Sequence, residues 1–462
     1  MSTRILAILG LLAFAGTLRA EPTPAFYSWA VTPPMGWNSW DCFGTTVTET
    51  QTKAQADVMA NKLKSHGWQY VVVDIQWYEP NAQGFQYRKN AALTMDEWGR
   101  LVPAENRFPS AANGAGFKAL AQYVHVKGLK FGIHVMRGIP RQAVVENIPI
   151  KGTNRHAADV ADKDSICSWN PDMYGVDMSK PGAQEYYDSV YELIASWGVD
   201  FVKVDDLSRP YHEAEIEAIR KAIDKTGRAI VFSTSPGATP VAEGLHVERH
   251  ANMWRISDDF WDVWDTLLEQ FQRLADWSPY RGEGHFPDAD MLPLGAIRQV
   301  GSSPKNPPHT RFTPDEQVTM MTLWSIARSP LIIGGDLTKL DDLTLSLLTN
   351  DEVIAVNQRS SANRQLFNRN GFVGWIADIP CSSDKYVALF NTTASGTEVP
   401  VEVVELGFTG PVQIRDLWKK SNLRGPATGR FVPNLPAHGA GLYRVSQTKD
   451  APTRSSGRST SR

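Results

Sequence analysis

Cysteine and recognisable metal-binding spacings are scarce in this sequence. Only three cysteines occur among the 462 residues, at Cys42, Cys167 and Cys381. A set this small and odd-numbered excludes a disulfide-built scaffold and allows one bridge at most. No CxxC or HExxH spacing is present, so the sequence predicts neither a metal site nor another cofactor.

The sequence also lacks a strong charge excess and, beyond its N-terminus, a long apolar run. The formal net charge of −3 is mildly acidic and argues against a nucleic-acid partner. No later stretch is long enough to predict a membrane-spanning helix. Residues 1–20 combine Arg4, an apolar run over residues 5–16 and the small residue Ala20. We therefore expect a signal peptide over residues 1–20 and a secreted or periplasmic protein.

Apolar residues are plentiful. Hydrophobic residues make up 42% of the chain and fifteen are tryptophans, enough for one large domain and a smaller one. Most of these tryptophans are expected in the core, although indole faces also stack on sugars.

Strand-like and helix-like patterns alternate over residues 21–357. This alternation implies a parallel sheet, and about eight units match a (β/α)8 TIM barrel. A doubly wound sheet is the alternative, but polar residues end nearly every strand and are not confined to one switch point. The predicted strands are residues 33–40, 70–74, 130–136, 201–205, 230–235, 252–257, 284–290 and 331–335, and the predicted helices are residues 48–66, 117–127, 184–197, 213–226, 261–274 and 314–328.

The sequence pattern changes at residue 358. Short alternating runs separated by Ser, Gly, Asn and Pro follow at residues 372–379, 386–391, 399–404 and 412–417. This pattern predicts a small C-terminal antiparallel β-sandwich over residues 358–447. Residues 448–462 are rich in Ser and Arg and are expected to form a disordered tail.

Charged side chains follow several predicted strands, and in a barrel these ends converge on one mouth. Two carboxylates flanked by basic and aromatic residues suit glycoside cleavage, because one attacks the anomeric carbon while the other protonates the leaving oxygen. Lys203 lies on the same strand face as Asp205 and favours its ionised form, as a nucleophile requires. Asp259 has aromatic neighbours that would raise its pKa, as an acid requires. For any single acid, a helix cap or surface charge is the alternative. The strand-end candidates are Trp37, Asp74, His134, Lys203, Asp205, Ser235, Arg255, Asp259 and Asp290.

Four motifs resemble glycoside hydrolase family 27, the retaining α-galactosidases. They are TPPMGWNSW at 32–40, FVKVDD at 201–206, WRISDD at 254–259 and PDADM at 287–291. The resemblance spans roughly residues 32–445 and includes the C-terminal β domain of that family. It implies that Asp205 is the nucleophile and Asp259 the acid/base. It further implies a sugar pocket in which Arg255 binds the 2-hydroxyl, Trp37 forms a hydrophobic wall, Asp74 binds O4 and O6, and Lys203 and Asp290 complete the site.

One departure from the family pattern concerns the sugar. Ile75 replaces a second aspartate that binds O4 and O6 in the family. Isoleucine accepts no hydrogen bond and crowds the place of a hydroxymethyl group, so the change favours β-L-arabinopyranose, which lacks C6. Residues 72–78 resemble the β-L-arabinopyranosidases of the family. In the alternative interpretation, Ile75 merely packs behind the pocket.

Other departures leave alternatives open. Ser235 stands where many α-galactosidases have Glu and α-N-acetylgalactosaminidases have Ser, yet Pro236-Gly237 fits neither pattern. His134 replaces a frequent Tyr, and it is either a sugar donor or a satisfied core histidine. Cys42 and Cys167 lie near family disulfide positions, but Gln76 replaces one usual partner, so we predict no bridge there.

The sequence therefore predicts a retaining exo-glycosidase for terminal α-D-galactosyl or β-L-arabinopyranosyl groups, with a carbohydrate as its partner. α-N-Acetylgalactosaminidase specificity is the alternative on the same scaffold. A non-catalytic carbohydrate-binding protein is a second alternative, weakened by the presence of both carboxylates. A metal-dependent barrel hydrolase is the third.

Overall fold

The structure, a computed structural model, describes residues 23–448. The expected signal peptide at residues 1–20 lies outside the described residues, as does the expected tail except for its first residue. Thr448 is described, and its backbone N–H donates to the carbonyl of Pro411 at 3.0 Å. No helix within residues 23–448 has both the length and the apolar character needed to span a bilayer.

Eight parallel strands form the barrel, as the sequence predicts. They pair in chain order from β1 to β7, and β8 pairs with β1. Leu292, which follows β7, bridges to Ile333 of β8 and closes the ring. This sequential order is that of a barrel and excludes the doubly wound alternative. The strands are β1 Met35–Asn38, β2 Tyr70–Val73, β3 Lys130–Met136, β4 Phe201–Asp205, β5 Val231–Thr234, β6 Met253–Arg255, β7 Phe286–Asp288 and β8 Leu331–Ile333.

Side chains along each barrel strand point alternately into the barrel and outwards, so they form two separate apolar layers. Inward residues near the start of the strands, such as Tyr70 and Phe201, form a small cluster of their own. Their neighbours Val71 and Val202 point outwards into the main core. Because side chains alternate with a period of two, Lys203 and Asp205 point inwards above Phe201. The same strand thus supplies apolar packing at its start and charge at the mouth.

The six predicted helices are present, with ends shifted by a few residues. Thr48 caps the first of them by accepting from the N–H of Gln51, and Gly67 ends it with φ of 97°. The six are Glu49–Val58 with its extension to His66, Lys118–His125, Ala183–Ser196, Glu213–Lys225, Trp264–Trp277 and Pro314–Ala327. The sequence analysis missed the helices Trp40–Phe43, Arg141–Val145, Ala157–Val160, Gly244–His250, Asp342–Leu348 and Asp351–Arg359.

A three-stranded antiparallel sheet is inserted after β3, where the sequence analysis predicted no element. Its strands are Ile139–Pro140, Ala161–Ile166 and Met173–Val176, with the last in the centre. The strand Ala161–Ile166 is largely polar and exposed, so it gives no apolar alternation to detect. The insertion follows the carboxyl end of β3 and reaches the barrel mouth.

The C-terminal domain is an antiparallel β structure, as predicted. Pro400 splits the single strand predicted at residues 399–404, because proline has no N–H to donate. The boundary predicted at residue 358 falls within the helix Asp351–Arg359, and the first strand begins at Ser361. In sheet order the main strands are Ser361–Arg369, Phe372–Asp378, Lys385–Asn391, Ala440–Gln447, Val412–Asp416 and Ser421–Asn422, and two short pairs join Thr397–Glu398 to Asn434–Leu435 and Val401–Glu402 to Arg430–Phe431.

The main C-terminal sheet is apolar on both faces. Val373 and Trp375 belong to the barrel core, whereas Ile376 belongs to a second core inside the domain. The helix Pro314–Ala327 lies between barrel and sheet and is buried along nearly its whole length. Its Thr322 hydroxyl accepts from the indole N–H of Trp418 at 2.9 Å. The two domains therefore share one continuous core.

Candidate active site

An open cavity of about 570 Å³ lies at the carboxyl ends of the barrel strands. Acidic, basic and aromatic side chains line it. Such a mixture suits a polyhydroxylated ligand with an apolar ring face. The lining residues that matter below are Trp40, Asp74, Ile75, Tyr87, Trp169, Lys203, Asp205, Asp206, Asp258 and Asp259.

Asp205 lies at the end of β4, buried beside Lys203 and His134. Its Oδ1 is 3.6 Å from the Lys203 Nζ, and its Oδ2 is 3.0 Å from Nε2 of the fully buried His134. Burial alone would raise the pKa of Asp205, but Lys203, His134 and Arg255 outweigh burial and lower it to about 2. The carboxylate is therefore ionised at neutral pH.

Asp74 shares the same lysine. Its Oδ2 accepts from the Lys203 Nζ at 3.0 Å and from the Asn38 Nδ2 at 2.7 Å, and its Oδ1 accepts from the backbone N–H of Ile75 at 2.8 Å. Burial lowers the pKa of Lys203, but Asp205 and Asp74 raise it above its ordinary value. The ammonium thus stays charged between two carboxylates. The sequence analysis missed Asn38, although it ends the strand next to that of Asp74.

Arg255 organises the opposite side of the pocket. Its Nη2 donates to Asp259 Oδ1 at 2.9 Å and lies 2.7 Å from Asp290 Oδ2, and its Nη1 donates to the Ser235 Oγ at 3.3 Å. Asp288 is buried nearby and was not a predicted site residue. Burial raises the pKa of Asp288 to about 7 and that of Asp290 to about 6, although Arg255 lowers both.

Asp259 is half exposed at the rim, with 54% of its side chain accessible. The expected aromatic enclosure is absent, because Trp254 packs against Trp277 and His285 and Phe260 packs against Phe312 and Trp324. The charged group in contact with Asp259 is Arg255. The adjacent Asp258 pairs with Arg209 at 2.6 Å.

Asp206, which directly follows Asp205, forms an ion pair within the protein. Arg137 Nη2 lies 2.7 Å from its Oδ2, and Arg137 Nη1 lies 2.6 Å from Glu215. Asp206 also has φ of 70°, a left-handed conformation that turns the chain after the strand. Both acids line the cavity, but the partner of Asp206 is Arg137, whereas Asp205 contacts Lys203 and His134.

Ile75 lines the cavity beside Asp74, and 1% of the residue is exposed. Trp37 is fully buried and donates its indole N–H to the carbonyl of Gly335 at 2.9 Å. Trp37 does not line the open cavity. Trp40 does, with its ring stacked on Tyr87 at 6.2 Å.

Four predicted site residues are buried and do not line the cavity themselves: His134, Ser235, Arg255 and Asp290. His134 contacts the lining residue Asp205, and Arg255 contacts the lining residue Asp259. Cys42 and Cys167 are buried free thiols and Cys381 is an exposed one. Ligand atoms of Asp74, His134 and Asp205 lie within 4.8 Å of one another and could hold a metal. That cluster already contains the Lys203 ammonium.

Comparison with known proteins decides the family. The model of α-galactosidase A matches residues 32–177 and 172–359, and that of the α-galactosidase C-terminal β-sandwich domain matches residues 374–445. A family 27 β-L-arabinopyranosidase from Geobacillus stearothermophilus has a crystal structure that is 51% identical, with a TM-score of 0.91, and covers 93% of this chain and 100% of its own. The chain belongs to glycoside hydrolase family 27.

Two further relatives are less similar to this chain than the Geobacillus enzyme. A candidate α-N-acetylgalactosaminidase from Bacillus halodurans is 48% identical, with a TM-score of 0.82, and covers 91% of this chain and 98% of its own. The α-galactosidase of Cyamopsis tetragonoloba is 28% identical over 420 residues, covering 89% of this chain and 85% of the relative. Family 27 membership makes this protein a glycoside hydrolase and not a non-catalytic sugar-binding module.

Proposed function

We propose that this family 27 enzyme is a retaining exo-glycosidase that removes terminal β-L-arabinopyranosyl groups faster than α-D-galactosyl groups. The observation that carries the preference is the buried Ile75 beside Asp74 in the cavity wall. Asp74 lines the cavity and would bind a ring hydroxyl, while its neighbour offers only an apolar surface.

In the proposed reaction, Asp205 attacks the anomeric carbon as the bond to the leaving oxygen breaks. Asp259 gives its proton to that oxygen, and the sugar becomes an ester of Asp205. Asp259 then takes a proton from water, which attacks the anomeric carbon and releases Asp205. The lowered pKa of Asp205 and the rim position of Asp259 support these roles.

The sugar preference follows from one substituent. α-D-Galactosides and β-L-arabinopyranosides share ring stereochemistry, but the arabinoside lacks the hydroxymethyl group at C5. Burying that group against Ile75 would leave its hydroxyl without a partner, which costs about 1–3 kcal/mol. The Geobacillus relative acts on β-L-arabinopyranosides, and an aspartate-to-alanine variant of it was solved with arabinose.

α-N-Acetylgalactosaminidase activity is the second candidate, and Ser235 favours it. This small side chain contacts Arg255, the predicted partner of the 2-hydroxyl, and the Bacillus halodurans relative carries the corresponding name. In this alternative the space left by a serine would accommodate an acetamide at the 2-position.

The test compares rates on aryl β-L-arabinopyranoside, aryl α-D-galactoside and aryl α-N-acetylgalactosaminide. We expect the arabinoside to be fastest, and Ile75→Asp to shift the galactoside-to-arabinoside ratio of kcat/KM by at least about tenfold towards galactoside. Ile75→Val keeps the site apolar and is the matched control. An unchanged ratio in Ile75→Asp would disprove the role of Ile75, and a dominant rate on the third substrate would favour the second candidate.

We also propose that the enzyme is exported, on the signal-like pattern of residues 1–20. N-terminal sequencing of the protein recovered outside the cytoplasm should begin near residue 21. An intact Met1 in the recovered protein would contradict export by cleavage.

A further inference from the structure

Two histidines and two glutamates face each other on the outside of the barrel, away from the active-site cavity. Glu213 and Glu217 lie four residues apart on the helix after β4, and His246 and His250 lie four residues apart on the helix Gly244–His250 after β5. Residues four apart share one face of a helix. Each helix therefore presents a pair of possible metal ligands to the other.

The ligand atoms of this cluster are close enough for one ion. His246 Nε2 is 3.5 Å from Glu217 Oε1 and 3.8 Å from Glu213 Oε1. The ligand atoms of Glu217, His246 and His250 all lie within 4.8 Å of one another. Ligands bound tetrahedrally to zinc at about 2.0–2.1 Å are roughly 3.3 Å apart. Both glutamate side chains are more than half exposed and can rotate towards the histidines. The two histidine rings stack with their centroids 4.2 Å apart and would tilt to point both Nε2 atoms at one ion.

Hydrogen bonds hold the Nδ1 atom of each imidazole and leave each Nε2 atom facing the cluster. The Nδ1 of His250 lies 2.8 Å from the carbonyl of His246; it must donate there, which leaves the Nε2 lone pair free. The Nδ1 of His246 lies 2.6 Å from the Tyr211 hydroxyl. The Nε2 of His246 is buried without a hydrogen-bond partner. Metal-binding histidines typically have this arrangement, with the second nitrogen held by a fixed partner.

We propose that Glu217, His246 and His250 bind one divalent transition metal ion, with Zn²⁺ as the favoured ion and Glu213 available as a fourth ligand. Imidazole nitrogens favour zinc and related ions, whereas Mg²⁺ and Ca²⁺ favour all-oxygen sites. The sequence analysis missed the site because the ligands come from two helices that are distant in sequence.

The ion would have a structural role. It would join the helices that follow β4 and β5, and Tyr211 would connect it to the segment after β4. That segment also contributes Arg209 and Pro210 to the cavity rim. No ligand of the proposed site lines the active-site cavity, so glycoside hydrolysis should not require the metal.

The experiment uses the full chain without an affinity tag, stripped with a chelator and dialysed. Zinc is titrated in competition with a chromophoric chelator, and thermal unfolding is followed with and without one equivalent of zinc. We expect one zinc ion per chain, a higher Tm and an unchanged hydrolysis rate. Glu217→Gln and His250→Gln should each weaken binding by at least about tenfold, and Mg²⁺ should not replace zinc.

His66→Gln is the matched control. His66 also pairs with a carboxylate, Asp351, at 2.7 Å, but it belongs to no ligand cluster identified within residues 23–448. This variant should bind zinc like the wild type. Absence of saturable zinc binding would overturn the proposal. Zinc binding that persists unchanged in Glu217→Gln and His250→Gln would also overturn it. If that binding also abolished hydrolysis, the ion would be assigned to Asp74, His134 and Asp205.

Discussion

The two sides of the active-site cavity hold carboxylates under opposite conditions. On one side Asp205 is close to Lys203 and His134, and its pKa is lowered to about 2. On the other side Asp259, Asp288 and Asp290 share the single guanidinium of Arg255, and burial raises the pKa of Asp290 to about 6. Both sides are rich in acids and both contain a cation. They differ in how many carboxylates each cation must balance.

This difference matches the two tasks of a retaining glycosidase. The nucleophile must be ionised before the reaction begins, which a nearby ammonium and imidazole favour. The acid side must deliver a proton, and the carboxyl groups whose pKa is raised there are the buried Asp288 and Asp290. The predictions below test whether the two sides can be separated in this way.

Removal of the nucleophile should have the largest effect. Asp205→Gly is expected to lower kcat/KM by at least about a thousandfold, because no other carboxylate can form the glycosyl ester. External azide should restore activity by attacking from the vacated space. Asp206→Asn is the control, and it should reduce stability by disrupting the Arg137 ion pair while leaving most of the activity. Activity in Asp205→Gly without azide would refute the assignment.

Removal of the acid should have a large effect that depends on the leaving group. Asp259→Asn is expected to lower the rate by about 10²–10⁴-fold for substrates whose leaving oxygen needs a proton. Aryl glycosides with acidic leaving groups should lose less in the first step. The neighbouring Asp258 is similarly exposed and pairs with Arg209, so Asp258→Asn should retain activity. Equal losses in the two variants would remove the distinction between them.

Neutralising the cation on the nucleophile side should change the pH dependence. In Lys203→Met the pKa of Asp205 should rise by about 1–3, because the charge that lowers it most is lost while burial still raises it. Activity requires the ionised form, so the acid limb of kcat/KM should move to higher pH. Lys203→Arg, which keeps the charge, should move it less. A profile unchanged in Lys203→Met would show that lysine does not control this carboxylate.

Neutralising the buried Asp288, on the Arg255 side, should change how the free energy of unfolding depends on pH. The raised pKa of Asp288, about 7, means that the folded state keeps a proton which the unfolded chain loses near pH 4. Wild-type stability from this group therefore falls as pH rises from about 4 to 7. Asp288→Asn avoids this loss and should gain on the order of 4 kcal/mol over the wild type at pH 8 relative to pH 4, measured by urea unfolding. A difference between the two proteins that does not vary with pH would contradict the raised pKa.

The sequence located the strands well because most are short apolar runs that end near a polar or charged residue. It also identified Lys203 and Asp205 as neighbours, since a spacing of two puts both on one strand face. It missed Asp288, whose contact with Arg255 depends on the pairing of β6 with β7, where these two residues are in register. It missed the strand Ala161–Ile166 because its polar residues resemble a loop.

Contacts between site residues on different strands could not be predicted from local sequence patterns either. Asn38 reaches Asp74 because β1 and β2 are adjacent, and His134 reaches Asp205 because β3 and β4 are. The aromatic neighbours of Asp259 in sequence proved to pack elsewhere. The sequence showed which charged residues end the strands, but the pairing of the strands in the barrel determines which of them are in contact.

The buried helix Pro314–Ala327 ties the C-terminal sheet to catalysis. One side of this helix receives Trp418 from the sheet, and its Trp324 donates an indole N–H to the carbonyl of Asp290 at 2.9 Å on the other side. The C-terminal domain is therefore not an accessory module that can be exchanged or trimmed. An engineer who fuses this catalytic domain to other carbohydrate-binding modules would have to move both domains as one unit.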